Sequence, residues 1–91
     1  MGMEGPVCPV AVISVCSKEG EITPLRLQIV DGEGQNLRID IDQVVSIRHV
    51  PYVNVEANVY TCRARAEGRR MTIELKYTFR SHVWCLLRRV C

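Results

Sequence analysis

The stretch NVYTCRARAEGRRMTIELKYT, residues 58–78, determines the fold class predicted for this 91-residue chain. Apolar and polar side chains alternate on both sides of a central Glu67-Gly68 step. Alternation places one face of a strand on a core and the other in water, which is typical of antiparallel sheets. The Gly-containing step predicts a tight turn, and therefore a hairpin of two strands. The inward positions are Tyr60, Cys62, Ala64, Ala66, Met71, Ile73, Leu75 and Tyr77.

The same two-residue period runs through most of the remaining chain. Turn-forming residues at Lys18–Glu21 and Asp31–Gln35 separate the periodic segments. The pattern predicts seven short strands, at residues 9–16, 24–30, 36–41, 44–50, 58–66, 70–78 and 83–89.

The region around residues 42–57 carries the weakest periodicity. Residues 42–47 fit either strand or one helical turn capped by Asp42. Pro51 lacks a backbone donor and is expected to end the preceding strand, which leaves residues 51–57 as the longest connection.

The predicted fold is all-β: a small, strongly curved antiparallel barrel of about six or seven strands, SH3-like or OB-type. An open sheet of this size would leave two edges and one bare face, which closure removes. Residues 1–91 are expected to form a single domain, with residues 1–6 disordered or foreign to the natural chain. Trp84 on a late strand is a natural plug for the interior.

Cysteine usage and composition predict a reduced, cytoplasmic protein. Five cysteines cannot all pair within one chain, and none lies at Cys-x-x-Cys spacing. The alternatives are a Cys8–Cys16 bridge or an intermolecular bridge through Cys91. No run is apolar and long enough to span a bilayer, and the apolar residues 6–16 lack the basic start of a secretory signal. No membrane association is expected.

Charge is unevenly distributed along the chain. Residues 1–50 carry four basic and seven acidic groups, whereas residues 51–91 carry eight basic and three acidic ones. Arginine accounts for ten of the twelve basic residues, and its planar guanidinium binds planar anions bidentately. Solvated surface charge, a protein partner and nucleic acid are three interpretations of this pattern. The candidate contact residues are Arg63, Arg65, Arg69, Arg70, Lys76 and Trp84.

Catalytic and cofactor chemistry is not predicted. A Cys62–His49 pair is conceivable, but a lone strand histidine is more often a surface residue than a general base. His82 and Cys85 should point to opposite faces. Asp40 and Asp42 share an outward face without further ligands, which favours solvated charge over a metal site. We expect no catalytic residue, no cofactor, no metal and no small-molecule substrate.

Four short segments resemble a group of small, uncharacterised bacterial all-β proteins with an SH3-like barrel. They are Gly20-Glu21-Ile22-Thr23-Pro24-Leu25, Tyr60-Thr61-Cys62-Arg63, Leu75-Lys76-Tyr77 and Trp84. The resemblance implies a single barrel without an assigned activity and supplies no site residue. The chain departs from those proteins after Trp84, where Cys85-Leu86-Leu87-Arg88-Arg89 replaces a short acidic ending.

These observations predict a non-enzymatic barrel that acts as a protein-interaction or self-association module, for example as a homodimer. The strand at residues 9–16 is apolar on both faces, so both faces need cover, and an exposed strand edge would provide the contact. The alternative is a barrel that binds single-stranded nucleic acid through the basic hairpin at residues 58–80.

Overall fold

Six antiparallel strands close into one small barrel. The computed structural model describes residues 8–30, 33–52 and 55–89, so the expectations for residues 1–6 and for Cys91 lie outside it. The strands are β1 (Cys8–Cys16), β2 (Ile22–Val30), β3 (Asn36–Tyr52), β4 (Val55–Ala66), β5 (Arg69–Thr78) and β6 (Val83–Arg89).

Each strand pairs with its neighbour in the chain, and β1 pairs with β6 to complete the circle. This confirms the predicted all-β barrel. The closing ladder is short and joins Cys8–Val10 to Trp84–Leu86. The longest ladder joins β3 to β4 and runs from the Asp40–Arg65 pair to the Tyr52–Val55 pair. Closure encloses one apolar interior.

The alternating positions of β4 and β5 supply most of the barrel interior. Cys62 and Leu75 are fully buried, and Trp84 on β6 is only 6% exposed. The Trp84 ring lies 5.3 Å from that of Tyr60 and 4.9 Å from that of Tyr77, measured between ring centroids. Because these rings come from three strands, their contacts join the seam of the barrel to its centre.

β3 replaces two of the seven predicted strands. Residues 36–41 and 44–50 belong to one 17-residue strand, and the helical turn considered for residues 42–47 is wrong. The register of β3 against β4 shifts between Ile41 and Gln43 and again between Val44 and Ser46. Such irregularities bend a strand and increase its twist, and they interrupt the alternation that identifies a strand in sequence.

Three prolines lie within strands, and the prediction that Pro51 ends its strand is wrong. Pro51 pairs with Glu56 on β4, and β4 begins at Val55, so the long connection expected over residues 51–57 does not exist. Pro9 pairs only with β6, and Pro24 only with β1. Each proline thus has a described ladder on one side, where its missing N–H interrupts no second ladder.

The turn between β4 and β5 matches its sequence. Glu67 and Gly68 have φ angles of 53° and 76°, as in a two-residue type I′ turn, whose twist matches that of the flanking strands. Gly68 adopts this conformation without the steric cost of a side chain. Within the described ranges, the chain has no helix of the length and apolarity that a membrane crossing requires.

Candidate functional site

An open groove of about 720 Å³ crosses the outside of β3, β4 and β5. We call it the arginine groove. The residues that give it its chemistry are Asp42, Gln43, Arg63, Arg65, Arg70 and Thr72.

Strand register brings these side chains together. Arg65 lies opposite Arg70, and Arg63 lies opposite Thr72 on one side and Gln43 on the other. Directly opposed residues of two strands point to the same face, here the outer one. Arg63, Arg65 and Arg70 are all exposed. The groove therefore presents three guanidinium groups together with amide and hydroxyl donors.

Asp42 is the one acidic residue among the described residues that line the groove, and it pairs with one of the three arginines. The Nε–H of Arg65 donates to both carboxylate oxygens of Asp42, at 3.0 and 2.9 Å. The register shift between Ile41 and Gln43 lies at Asp42 and offsets this residue from the regular pairing. Arg63 and Arg70 make no ion pair with any carboxylate of the described chain. The groove consequently has a net charge of +2.

A second cluster continues the basic surface onto β2. The Nε–H of Arg26 donates to Asp40 at 2.9 Å, and a guanidinium nitrogen of Arg38 lies 3.6 Å from the same carboxylate. Asp40 in turn pairs with Arg65 in the β3–β4 ladder. The arginine groove and this second cluster together contain five arginines and two aspartates.

The structure divides the six residues proposed from sequence. Arg63, Arg65 and Arg70 lie together in the groove. Arg69 pairs with Ala66, which is buried, so Arg69 belongs to the opposite face at the hairpin tip. Lys76 is six residues from Arg70 along β5, or about 20 Å, since a strand rises about 3.3 Å per residue. Trp84 is buried in the interior and presents no ring to the surface.

The contributions of Arg26, Arg38, Gln43 and Thr72 to this surface were not predicted from the sequence. Their alternation was visible, but their position beside the hairpin depends on the order and register of the strands. Glu74 on β5 accepts a hydrogen bond from Arg88 on β6 at 3.1 Å, which leaves the groove arginines without a carboxylate from β5.

A second surface, apolar this time, lies on the outside of the β1–β2 hairpin. Its residues are Ile13, Val15 and Leu25, with exposed fractions of 57%, 50% and 47%. We call it the β1 patch. Arg26 pairs with Ile13 and Pro24 with Ser14, so Leu25 is an extra residue in the ladder and is displaced toward the outside.

The β1 patch adjoins an unpaired strand edge. β6 pairs with β1 only as far as Val10, and the β6-facing edge of residues 11–16 has no ladder partner among the described strands. These six residues, Ala-Val-Ile-Ser-Val-Cys, include no charged residue and no proline. Charges and prolines are the usual protection of an exposed edge, so this edge is open to pairing with another strand.

The two imidazoles hydrogen-bond to groups other than the described thiols. Cys62 is fully buried, and desolvation raises the pKa of its thiol to about 11, so it carries a proton at neutral pH. His49 shares a 3.1 Å hydrogen bond with Asn58, and His82 shares a 2.7 Å hydrogen bond with the Tyr77 hydroxyl. Cys16 is a free thiol, so the alternative Cys8–Cys16 bridge is not formed.

In the part of the chain that the structure describes, no three histidine, cysteine or acidic side chains converge on a possible metal site. Asp40 and Asp42 are each engaged by arginine.

Comparisons of this chain with family models, with curated proteins and with solved structures find no match.

Proposed function

We propose that this barrel is a non-enzymatic interaction module that associates with a second copy of itself through the free edge of β1. The observation that carries this proposal is the coincidence of the β1 patch with the unpaired edge at residues 11–16. Backbone groups on the edge supply hydrogen bonds, and the exposed apolar side chains beside it supply buried area.

A second copy is the occupant that suits this edge. Two antiparallel β1 edges are related by a twofold axis, which gives the closed, isologous contact typical of homodimers. Because residues 11–16 are uncharged, pairing them with themselves opposes no like charges. Ile13 and Val15 of the two copies would flank the axis on one face of the continuous sheet.

We further propose that the module is cytoplasmic, because Cys16, Cys62 and Cys85 are free thiols. The similarity to small bacterial SH3-like proteins, like the assignment as non-enzymatic, remains a prediction. The similarity would be tested by finding relatives that share the segments at residues 20–25 and 60–63.

The first prediction is that Val15→Lys weakens self-association at least about tenfold, since the dimer would bury an unpaired ammonium. Val45→Lys is the matched control, because Val45 is 49% exposed on β3, outside the β1 patch. Sedimentation equilibrium over a wide range of protein concentration measures both, and circular dichroism confirms that both variants fold.

A wild-type chain that stays monomeric at every concentration would refute the proposal. Equal weakening by Val15→Lys and Val45→Lys would also refute it, because the effect would then be one of added charge rather than of the β1 patch.

A further inference from the structure

We infer that the arginine groove is a binding site for the phosphodiester backbone of a single-stranded nucleic acid, and that Asp42 weakens this binding by holding Arg65. The site lies on β3–β5, away from the β1 edge, so the inference does not rest on self-association.

The three arginines of the groove are spaced like the successive phosphates of an extended strand. Arg63 and Arg65 are two residues apart on β4, which places them about 7 Å apart along the strand, and Arg70 lies on the neighbouring strand about 5 Å away. This is the scale that separates successive phosphates in an extended strand. Three guanidinium groups at this spacing can bind neighbouring phosphates, each bidentately.

Two of the three arginines are available to bind a phosphate. Arg63 and Arg70 are exposed and form no ion pair with the described carboxylates, so an incoming phosphate displaces nothing from them. Gln43 and Thr72 flank Arg63 and offer neutral donors for the remaining phosphate oxygens. Arg26 and Arg38 extend the positive surface toward β2 and attract a longer strand.

The polarity of the groove favours nucleic acid over an acidic protein. Protein interfaces have an apolar centre with aromatic anchors, whereas six of the eight residues that line this groove are charged or polar and the other two, Ala64 and Met71, are buried. The aromatic rings of Tyr60, Tyr77 and Trp84 lie in the interior. No aromatic residue is among the described residues that line the groove, so binding should depend on phosphates and be indifferent to base sequence.

Asp42 should lower the affinity of the groove for phosphate. Its carboxylate occupies the face of Arg65 that a phosphate would use, through two hydrogen bonds from Nε. Both side chains are more than a third exposed, so this ion pair is weak enough to exchange with a phosphate. Removing the carboxylate charge should therefore strengthen binding rather than disturb the groove.

The test measures the fluorescence anisotropy of a labelled oligothymidine as protein is added, at several salt concentrations. For three arginine contacts, the logarithm of the affinity should fall against the logarithm of salt with a slope of about −2. The double variant Arg63→Gln/Arg70→Gln should make this slope shallower, with a magnitude below about 1, and should weaken binding at least about tenfold at low salt.

The matched control is Arg48→Gln/Arg80→Gln, which removes the same charge from two exposed arginines outside the groove. Asp42→Asn should tighten binding about two- to fivefold. Absence of binding at low salt, or equal losses in the two double variants, would overturn the site. Competition by polyglutamate as effective as that by unlabelled oligothymidine would overturn the assignment to nucleic acid. Weaker binding by Asp42→Asn would overturn the role given to Asp42.

Discussion

Tyr60 and Cys62 of β4 are both buried, and each bears a polar group that the barrel interior accommodates in a different way. Tyr60 is 2% exposed, yet its hydroxyl donates to the carbonyl oxygen of Ile22 at 2.8 Å. Cys62, two residues along the same strand, is fully buried and makes no ion pair. Burial favours its neutral thiol, which makes Cys62 a small apolar core residue at neutral pH rather than a nucleophile.

Titration of Cys62 should therefore destabilise the barrel at alkaline pH. The pKa of this thiol is about 11 in the folded chain against 9.0 for an unperturbed one, so the unfolded chain releases the proton first. The stabilising contribution is complete below pH 9 and is lost as the pH rises toward 11. Relative to Cys62→Ala, the free energy of unfolding of the wild type should fall by about 2 kcal/mol over this range.

Urea unfolding under reducing conditions, followed by Trp84 fluorescence at several pH values, measures this difference. The Ala variant retains the other titratable groups and is the control for their effects. Parallel pH profiles for the two proteins would contradict the assignment.

At the scale of elements, regular alternation made some strands predictable and bulges concealed others. β5 was predicted at residues 70–78 and spans Arg69–Thr78, because its apolar positions keep a strict period and Glu67-Gly68 marks the turn. β3 was divided in two, since its register shifts break the same period. A bulge follows from the pairing of two strands, and neither strand alone encodes it.

The same distinction explains what could be predicted of the arginine groove. Alternation within one hairpin was enough to predict Arg63, Arg65 and Arg70 as contact residues, although Arg69 and Lys76, predicted with them, lie outside the groove. The ion pair between Asp42 and Arg65 required the register of β3 against β4, and the proximity of Arg26 required the order of the strands. Trp84 was treated both as a plug and as a surface contact, and only the interior position agrees with the structure.

One hydrogen bond should link the end of the β1–β2 hairpin to β4, in addition to the packing of the buried Pro24. The β2–β3 ladder begins at Arg26, so the Ile22 carbonyl is joined to the rest of the barrel through the Tyr60 hydroxyl. Tyr60→Phe should cost about 1 kcal/mol and speed amide hydrogen exchange at Ile22, Thr23 and Leu25. Tyr77→Phe is the control, because it loses a hydrogen bond to His82 at another place. Equal exchange at Ile22, Thr23 and Leu25 in both variants would contradict this role.

At the scale of the whole molecule, closure combines a long ladder with a short seam. The β3–β4 and β4–β5 ladders extend over most of their strands, while the seam joins Cys8–Val10 to Trp84–Leu86. Backbone pairing alone would let the seam open independently of the rest. Side-chain packing opposes this, because Trp84 on β6 contacts Tyr60 on β4 and Tyr77 on β5, so opening the seam exposes the centre of the core.

The barrel should therefore unfold in one cooperative step, with seam and sheet lost together. Trp84 is the chain's single tryptophan, so its fluorescence reports on the seam, while far-ultraviolet circular dichroism reports on the strands as a whole. In urea the two signals should give one midpoint and one slope. The Val15→Lys variant is the suitable sample, because self-association would otherwise make the midpoint depend on concentration. A fluorescence transition that precedes the loss of strand signal would show that the seam opens alone, and that the aromatic contacts do not couple β6 to the core.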